Sequence, residues 1–191
     1  MIIYIPLAKE FRLLALQVER CRKHIEHSKI VVVETPPGLS WNFSGGPWKI
    51  RRDYASSLGV ELIDGPDIHG LPHQRIYGIF QWLLNKIVSL KEPSIVLSGD
   101  VIPVADIAIE MNGSTRLPFP SHTWFATTCN SDTSSFKSYK AVRDGIFEKL
   151  DPGFIHLDKL TQDSFNDKIP AIESMFGCKI PEHREVREAI P

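Results

Sequence analysis

The residues best placed to do chemistry stand at the end of a short apolar run. Ser98-Gly99-Asp100 follows Ile95-Val96-Leu97, which is too brief for a helix and reads as a strand buried on both faces. A carboxylate therefore falls just past the strand's carboxyl end, the edge of an open α/β sheet where ligands bind. Two readings are open. Asp100 projects into a crevice and serves a ligand, or Ser98-Gly99 turns the chain and Asp100 caps a helix beginning near Val104.

Other groups are candidates by residue type. His69 and His73 flank Gly70-Leu71-Pro72 in a loop that suits an acceptor site. Cys21, His24 and His27 are spaced for contact on a helix, but a tetrahedral zinc needs a fourth ligand and the sequence offers none. Trp41 and Phe43 lie in a Gly- and Ser-rich excursion, where a ring either stacks on a sugar or base or anchors the loop to the core. The sequence has no Gly-x-x-x-x-Gly-Lys-Ser/Thr loop, no Gly-x-Gly-x-x-Gly fingerprint and no Gly-x-Ser-x-Gly elbow. These absences weigh against a P-loop NTPase, a dinucleotide oxidoreductase and an α/β-hydrolase.

The elements that must position these groups alternate along the chain. Ile2 to Ile5 reads as a first strand stopped by Pro6. Phe11, Leu14, Val18, Cys21 and Ile25 fall on one helical face, giving an amphipathic helix near 9–26. Ile30 to Val33 is a second, interior strand, and a β-α-β unit this short favours a parallel pair. Trp48 to Leu58 is a short helix closed by Gly59, and Val60 to Ile63 is a third strand. Ile76, Ile79, Phe80, Leu83, Leu84, Ile87 and Leu90 mark a long helix from about His73 to Leu90. The fold class is therefore α/β and Rossmann-like, a mostly parallel central sheet with helices on both faces.

The C-terminal half is looser and mixed. Asp106 to Met111 reads as a short helix, Thr123 to Thr128 as a strand, Asn130 to Ser135 as a polar loop and Tyr139 to Leu150 as a helix. Phe154 to Leu157 is the last strand. Residues 1–158 make up the α/β domain, and 159–191 a helical tail of two short helices packed on it.

With 191 residues, 42% hydrophobic and 24% charged, the composition is that of an ordinary globular chain. A net charge of −1 gives no broad field for nucleic acid. Three widely spaced cysteines imply no disulfide framework and suit a reducing compartment. The apolar opening Met1 to Ala8 lacks a basic flank and is too short for a membrane span, so a cytoplasmic protein without a transmembrane segment is expected.

A parallel α/β half that ends in an acidic turn and passes into a mixed half resembles the GT-A fold of nucleotide-sugar glycosyltransferases. Their acidic turn is an Asp-x-Asp motif often followed by an apolar-Pro step. Here the frame is Ser98-Gly99-Asp100 and then Val101-Ile102-Pro103, with serine in place of the first acid. The resemblance covers residues 1–158. It implies a transferase that moves a sugar from a nucleotide-diphosphate donor to an acceptor with the aid of Mn²⁺ or Mg²⁺, which neutralises charge on the leaving group.

By this resemblance Asp100 is the catalytic-site acid that binds the metal. Ser98 and Gly99 complete the motif, and the uncharged hydroxyl predicts weaker metal affinity than a full Asp-x-Asp. His156, in Gly153-Phe154-Ile155-His156-Leu157-Asp158-Lys159, resembles the late-strand histidine of such enzymes and is the second metal candidate. Its imidazole suits Mn²⁺ better than Mg²⁺, and the alternative is a histidine bonded to a backbone carbonyl. Pro6 and Ala8 after the first strand, and Glu34 and Thr35 after the second, fall where the nucleotide is contacted. Ordinary strand-to-helix turns account for them too. Gln74 lies near the start of the long helix, where amides favour phosphate, although an exposed helix face explains it equally. Two other readings stand beside the transferase: a non-catalytic nucleotide- or sugar-binding protein, and a metal-dependent hydrolase using Asp100 with His122 or His156.

Overall fold

The computed structural model describes residues 1–6, 11–34, 48–68, 72–90, 93–99, 101–106, 126–129, 136–138, 141–144, 147–150, 153–157, 162–182 and 185. Four parallel strands form its centre: β1 (Ile2–Pro6), β2 (Lys29–Glu34), β3 (Glu61–Asp64) and β4 (Ser94–Leu97). Val101–Pro103 is β5, Ala126–Cys129 is β6 and Phe136–Ser138 is β7. The six-stranded sheet runs β3-β2-β1-β4-β6-β7, with β6 and β7 antiparallel to their neighbours. Ala141–Asp144 (β8), Phe147–Leu150 (β9) and Phe154–Leu157 (β10) join β5 in a second, antiparallel sheet ordered β5-β10-β9-β8.

Period-two alternation in β1 decides how the large sheet is covered. Ile3 and Ile5 face α1 (Leu14–His24) and α2 (Trp48–Ser57), packing with Leu14, Val18, Cys21, Tyr54 and Ala55. Ile2 and Tyr4 face the opposite way, onto Leu83 and Ile87 of α3 (Pro72–Leu90). Helices thus lie on both faces of a mostly parallel sheet, so the fold class is α/β. A third cluster joins Leu13 and Leu16 to Ile102, Ile155, Leu157, Ile172 and Ile180. Through it α1, a short 3-10 turn at Phe11–Leu13, both strands of the small sheet's edge and α4 (Gln162–Phe176) share one core. Arg12 Nη2 also donates to Asn166 Oδ1 of α4 at 3.2 Å. Among the described residues no helix is long and apolar enough to cross a membrane.

Several expectations need correction. The described residues of Tyr139 to Leu150 are strand, not helix. They form β8 and β9, paired from Ala141↔Leu150 to Asp144↔Phe147 with only Gly145 and Ile146 between. A two-residue connection opening on glycine is a hairpin signal that outweighs the apolar spacing. Residues 104–106 form no helix after the acidic turn. They run on beside β10, and Val104 N–H donates to Gly153 O at 2.8 Å. Pro6 does not stop β1 but closes it, paired with Val33. Strands β5 and β7 are additional to those read from the sequence. Gly59, at φ +65°, does stand in the left-handed conformation a helix end favours. Residues 107–111 of the helix expected over Asp106 to Met111 and the loop at 130–135 lie outside the described residues, as does all of the chain beyond Glu182 except Glu185.

Candidate functional site

Because β1 to β4 are parallel, their carboxyl ends share one edge. Pro6 pairs with Val33, Glu34 with Asp64, and Tyr4 with Val96, so Pro6, Glu34, Asp64 and the Ser98-Gly99 step line a single rim. The N-terminus of α3, with Gln74 as its third residue, begins at the same rim because the helix returns the chain from β3 to the start of β4. Of the residues expected to contact a nucleotide, Pro6, Glu34, Ser98, Gly99 and Gln74 therefore fall at one edge. Ala8, Thr35 and Asp100 lie outside the described residues, as do His69, Trp41, Phe43 and His122.

The acidic turn itself is closed. Val101 N–H donates to Ser98 O at 3.0 Å, leaving Gly99 and Asp100 as the two residues between. Beyond it the chain enters β5, which pairs with β10 in the register Val101↔His156, Ile102↔Ile155 and Pro103↔Phe154. His156 is thus opposite the residue that follows Asp100. Both backbone groups of Val101 are engaged away from β10, its N–H in the turn and its carbonyl with Gln17. The Val101–His156 pair is accordingly of the non-hydrogen-bonded kind, in which facing Cα atoms approach to about 4.5 Å. The backbone of His156 and Gln74 is described and their side chains are not.

One residue of this site carries no motif and is missed by reading the sequence for chemistry. Gln17, on α1 and 1% exposed, donates from Nε2 to Ser98 O at 2.8 Å and to Val101 O at 2.7 Å. Three residues further along the helix, Arg20 Nε donates to Pro103 O at 3.2 Å. β5 is an edge strand whose alternate carbonyls would otherwise be bare, and α1 covers them with an amide and a guanidinium. The available signal was the helix pattern: Leu13 and Leu16 form a second apolar stripe beside Leu14, Val18 and Cys21, so Gln17 falls inside a helix covered on two sides.

At the other end of the rim, Glu34 is 1% exposed and ion-paired with Arg52 of α2, Nε to Oε2 3.1 Å. The same guanidinium reaches Asp64, Nη1 to Oδ1 3.5 Å. Gly65 N–H donates to Glu34 O at 2.6 Å, binding the ends of β2 and β3 together. His24 at the end of α1 has Nδ1 2.8 Å from Asp106 Oδ1. A carboxylate only accepts, so Nδ1 carries the proton. Cys21, three residues earlier on the helix, is buried, and burial pushes its thiol up to about 12, so it is no nucleophile. The Cys21, His24 and His27 spacing assembles no metal centre. Among the described residues no group of three or more His, Cys, Asp or Glu could hold a metal ion, and that set excludes the side chains of Asp100 and His156.

No protein-family model matches the sequence, and no curated protein matches it. Among solved structures the chain is similar to the apo form of the glycosyltransferase GlyE of Streptococcus pneumoniae TIGR4, with 14% identity and a TM-score of 0.30 over 98% of this chain and 41% of that one. A second GlyE structure gives 13% identity and a TM-score of 0.31, covering 96% and 41%. The mannosyltransferase PcManGT from Pyrobaculum calidifontis, in complex with GDP-Man and Mn²⁺, gives 16% and 0.34, covering 62% and 36%. The chain spans about two fifths of the length of these glycosyltransferases. Likenesses this slight carry no residue's role across, and the fold class stands on the sheet order itself.

Proposed function

We propose that the chain is a glycosyltransferase-like protein that binds a nucleotide-diphosphate sugar and a divalent cation at the carboxyl rim of the six-stranded sheet. The observation that carries this reading is the register of β10 against β5, with His156 opposite the residue after Asp100. A carboxylate and an imidazole from these positions make a mixed oxygen and nitrogen donor set that suits Mn²⁺ better than Mg²⁺. When bound, the cation would neutralise charge gathering on the nucleotide diphosphate as the sugar bond breaks.

The chain's own residues have separate tasks in this reading. Asp100 and His156 hold the cation, and the Ser98-Gly99 step keeps the carboxylate in its turn. In this reading the nucleotide is bordered by the segments after β1 and β2 that carry Ala8 and Thr35, above Pro6 and Glu34, which are themselves buried, with Gln74 at the start of α3 nearest the phosphates. Serine at position 98 brings no charge, which favours a second reading, a non-catalytic module that binds the same ligand.

A thermal-shift panel of UDP- and GDP-sugars, with and without Mn²⁺, tests the proposal. Ligand at about 100 times its Kd adds about 2.7 kcal/mol, or roughly 5–10 °C for a chain of this size. The shift is expected to need Mn²⁺ and to vanish in Asp100→Ala. Sugar release above background identifies the transferase, and binding with release at background identifies the module. No Mn²⁺-dependent shift with any donor overturns both.

A further inference from the structure

We infer that Gln17 is a positioning residue for the proposed cation site, acting through the Ser98–Val101 turn, an inference that rests on the reading above. The two hydrogen bonds of the Gln17 side chain run to backbone carbonyls. Its carboxamide holds the carbonyl immediately before the Gly99-Asp100 pair and the carbonyl immediately after it, at 2.8 and 2.7 Å. Of the two ends of a carboxamide only the –NH₂ group donates, so the orientation of the amide is fixed by its partners.

Two features separate this from ordinary packing. First, Gln17 Oε1 is buried with no partner among the described residues. A methionine would fill a similar volume without stranding an acceptor, so the two donated bonds are what the glutamine adds. Second, those bonds reach a stretch where turn and strand pairing meet. The turn ends at Val101, Val101 faces His156, and the carbonyl Gln17 holds is Val101's. A single side chain on α1 thereby controls both the span that contains Asp100 and the alignment of that span with the strand carrying His156. Groups that orient ligands from behind commonly set metal affinity without touching the metal.

The test compares wild type with Gln17→Met and Ile87→Val. Ile87 of α3 is fully buried on the other face of the sheet, in a cluster that holds no residue of the 98–103 segment. Binding of Mn²⁺–UDP and Mn²⁺–GDP is measured by calorimetry well below the melting temperature. Amide exchange of the 98–103 segment is measured on the same proteins without ligand. Both variants should lower the melting temperature, by roughly 2–10 °C. Only Gln17→Met should weaken Mn²⁺–nucleotide binding, by roughly 10- to 100-fold, and speed exchange across 98–103 by about tenfold or more. Equal losses of affinity in the two variants, or unchanged exchange in Gln17→Met, overturn the inference. If wild type binds neither complex, the functional reading falls on its own. The exchange comparison then decides alone whether Gln17 sets the turn.

Discussion

Val101 and His156 face each other across β5 and β10 as a non-hydrogen-bonded pair, so a late strand is aligned to the residue directly after Asp100. If the cation is shared by these two positions, each ligand is needed and neither is replaceable by volume. His156→Ala and Asp100→Ala should each weaken Mn²⁺-dependent nucleotide binding by at least about tenfold, or 1.4 kcal/mol. His156→Phe, which keeps a planar ring but offers Mn²⁺ no donor atom, should behave like the alanine variant. Calorimetry in Mn²⁺ checks this. Full affinity in His156→Ala would leave Asp100 without its supposed partner.

Arg52 bridges two carboxylates of very different exposure, and the difference predicts different outcomes. Glu34 is buried, whereas the Asp64 side chain is 82% exposed and further from the guanidinium. Arg52→Met leaves a buried carboxylate short of its cation and should cost about 1–2 kcal/mol, the low end of such losses because Arg52 is itself half-exposed. Asp64→Asn should stay within about 0.5 kcal/mol of wild type. Adding Glu34→Gln to Arg52→Met should recover part of the loss, so the double variant falls short of the sum of the singles. Urea unfolding of wild type, Arg52→Met, Glu34→Gln and the double variant measures the cycle, with Asp64→Asn run alongside.

Two glycines near the rim separate backbone crowding from side-chain crowding. A Cβ at Gly65 would lie 2.5 Å from Glu34 O and 3.1 Å from Val33 Cγ1, within a junction already drawn tight by the Gly65–Glu34 hydrogen bond. The carbonyl belongs to β2 and has little freedom to retreat. The three atoms nearest a Cβ at Gly78 of α3 all belong to the Ile68 side chain, the closest at 2.5 Å. Gly65→Ala should cost about 1–3 kcal/mol. Gly78→Ala should come within about 1 kcal/mol of wild type, since alanine's helix propensity offsets the displacement of Ile68. Melting curves rank the two, and a larger loss at Gly78 would reverse the reasoning.

The first half of the fold was legible because its signals do not compete. Ile30 to Val33 and Ile95 to Leu97 are continuous apolar runs, and the helices between them keep a clean three- and four-residue period. Beyond Asp100 the strands are three or four residues long, too short for either period to show. In Ala141 to Leu150 the glycine at 145 was the decisive residue, and helical spacing masked it. The motif around Asp100 could be read as a turn, yet not what holds it. Gln17 is a polar residue in a helix, and only contacts made 81 and 84 residues away reveal its work. No local pattern encodes a partner at that distance.

Two buried acids that ionise only at high pH make the core sensitive to alkali. Burial pushes the Cys21 thiol from 9.0 up to about 12 and the Tyr54 hydroxyl from 10.0 up to about 12. Both groups therefore hold their protons more tightly folded than unfolded, and the unfolded chain loses them first. Their contribution is whole below about pH 9, the unfolded thiol's value, and drains away as pH rises from about 9 to about 12, where the folded groups also ionise. Tyr54→Phe isolates one part of this. It keeps the ring and its edge-to-face contact with Phe11, 5.8 Å between centroids, but removes the titrating hydroxyl. Urea unfolding at about pH 8, 9, 10 and 11 should show wild-type stability falling from pH 9 upward, with a shallower fall in Tyr54→Phe that diverges from wild type only above about pH 10. Parallel curves for the two proteins would mean that the hydroxyl ionises as readily folded as unfolded, and that Tyr54 is not sealed between α2 and the sheet.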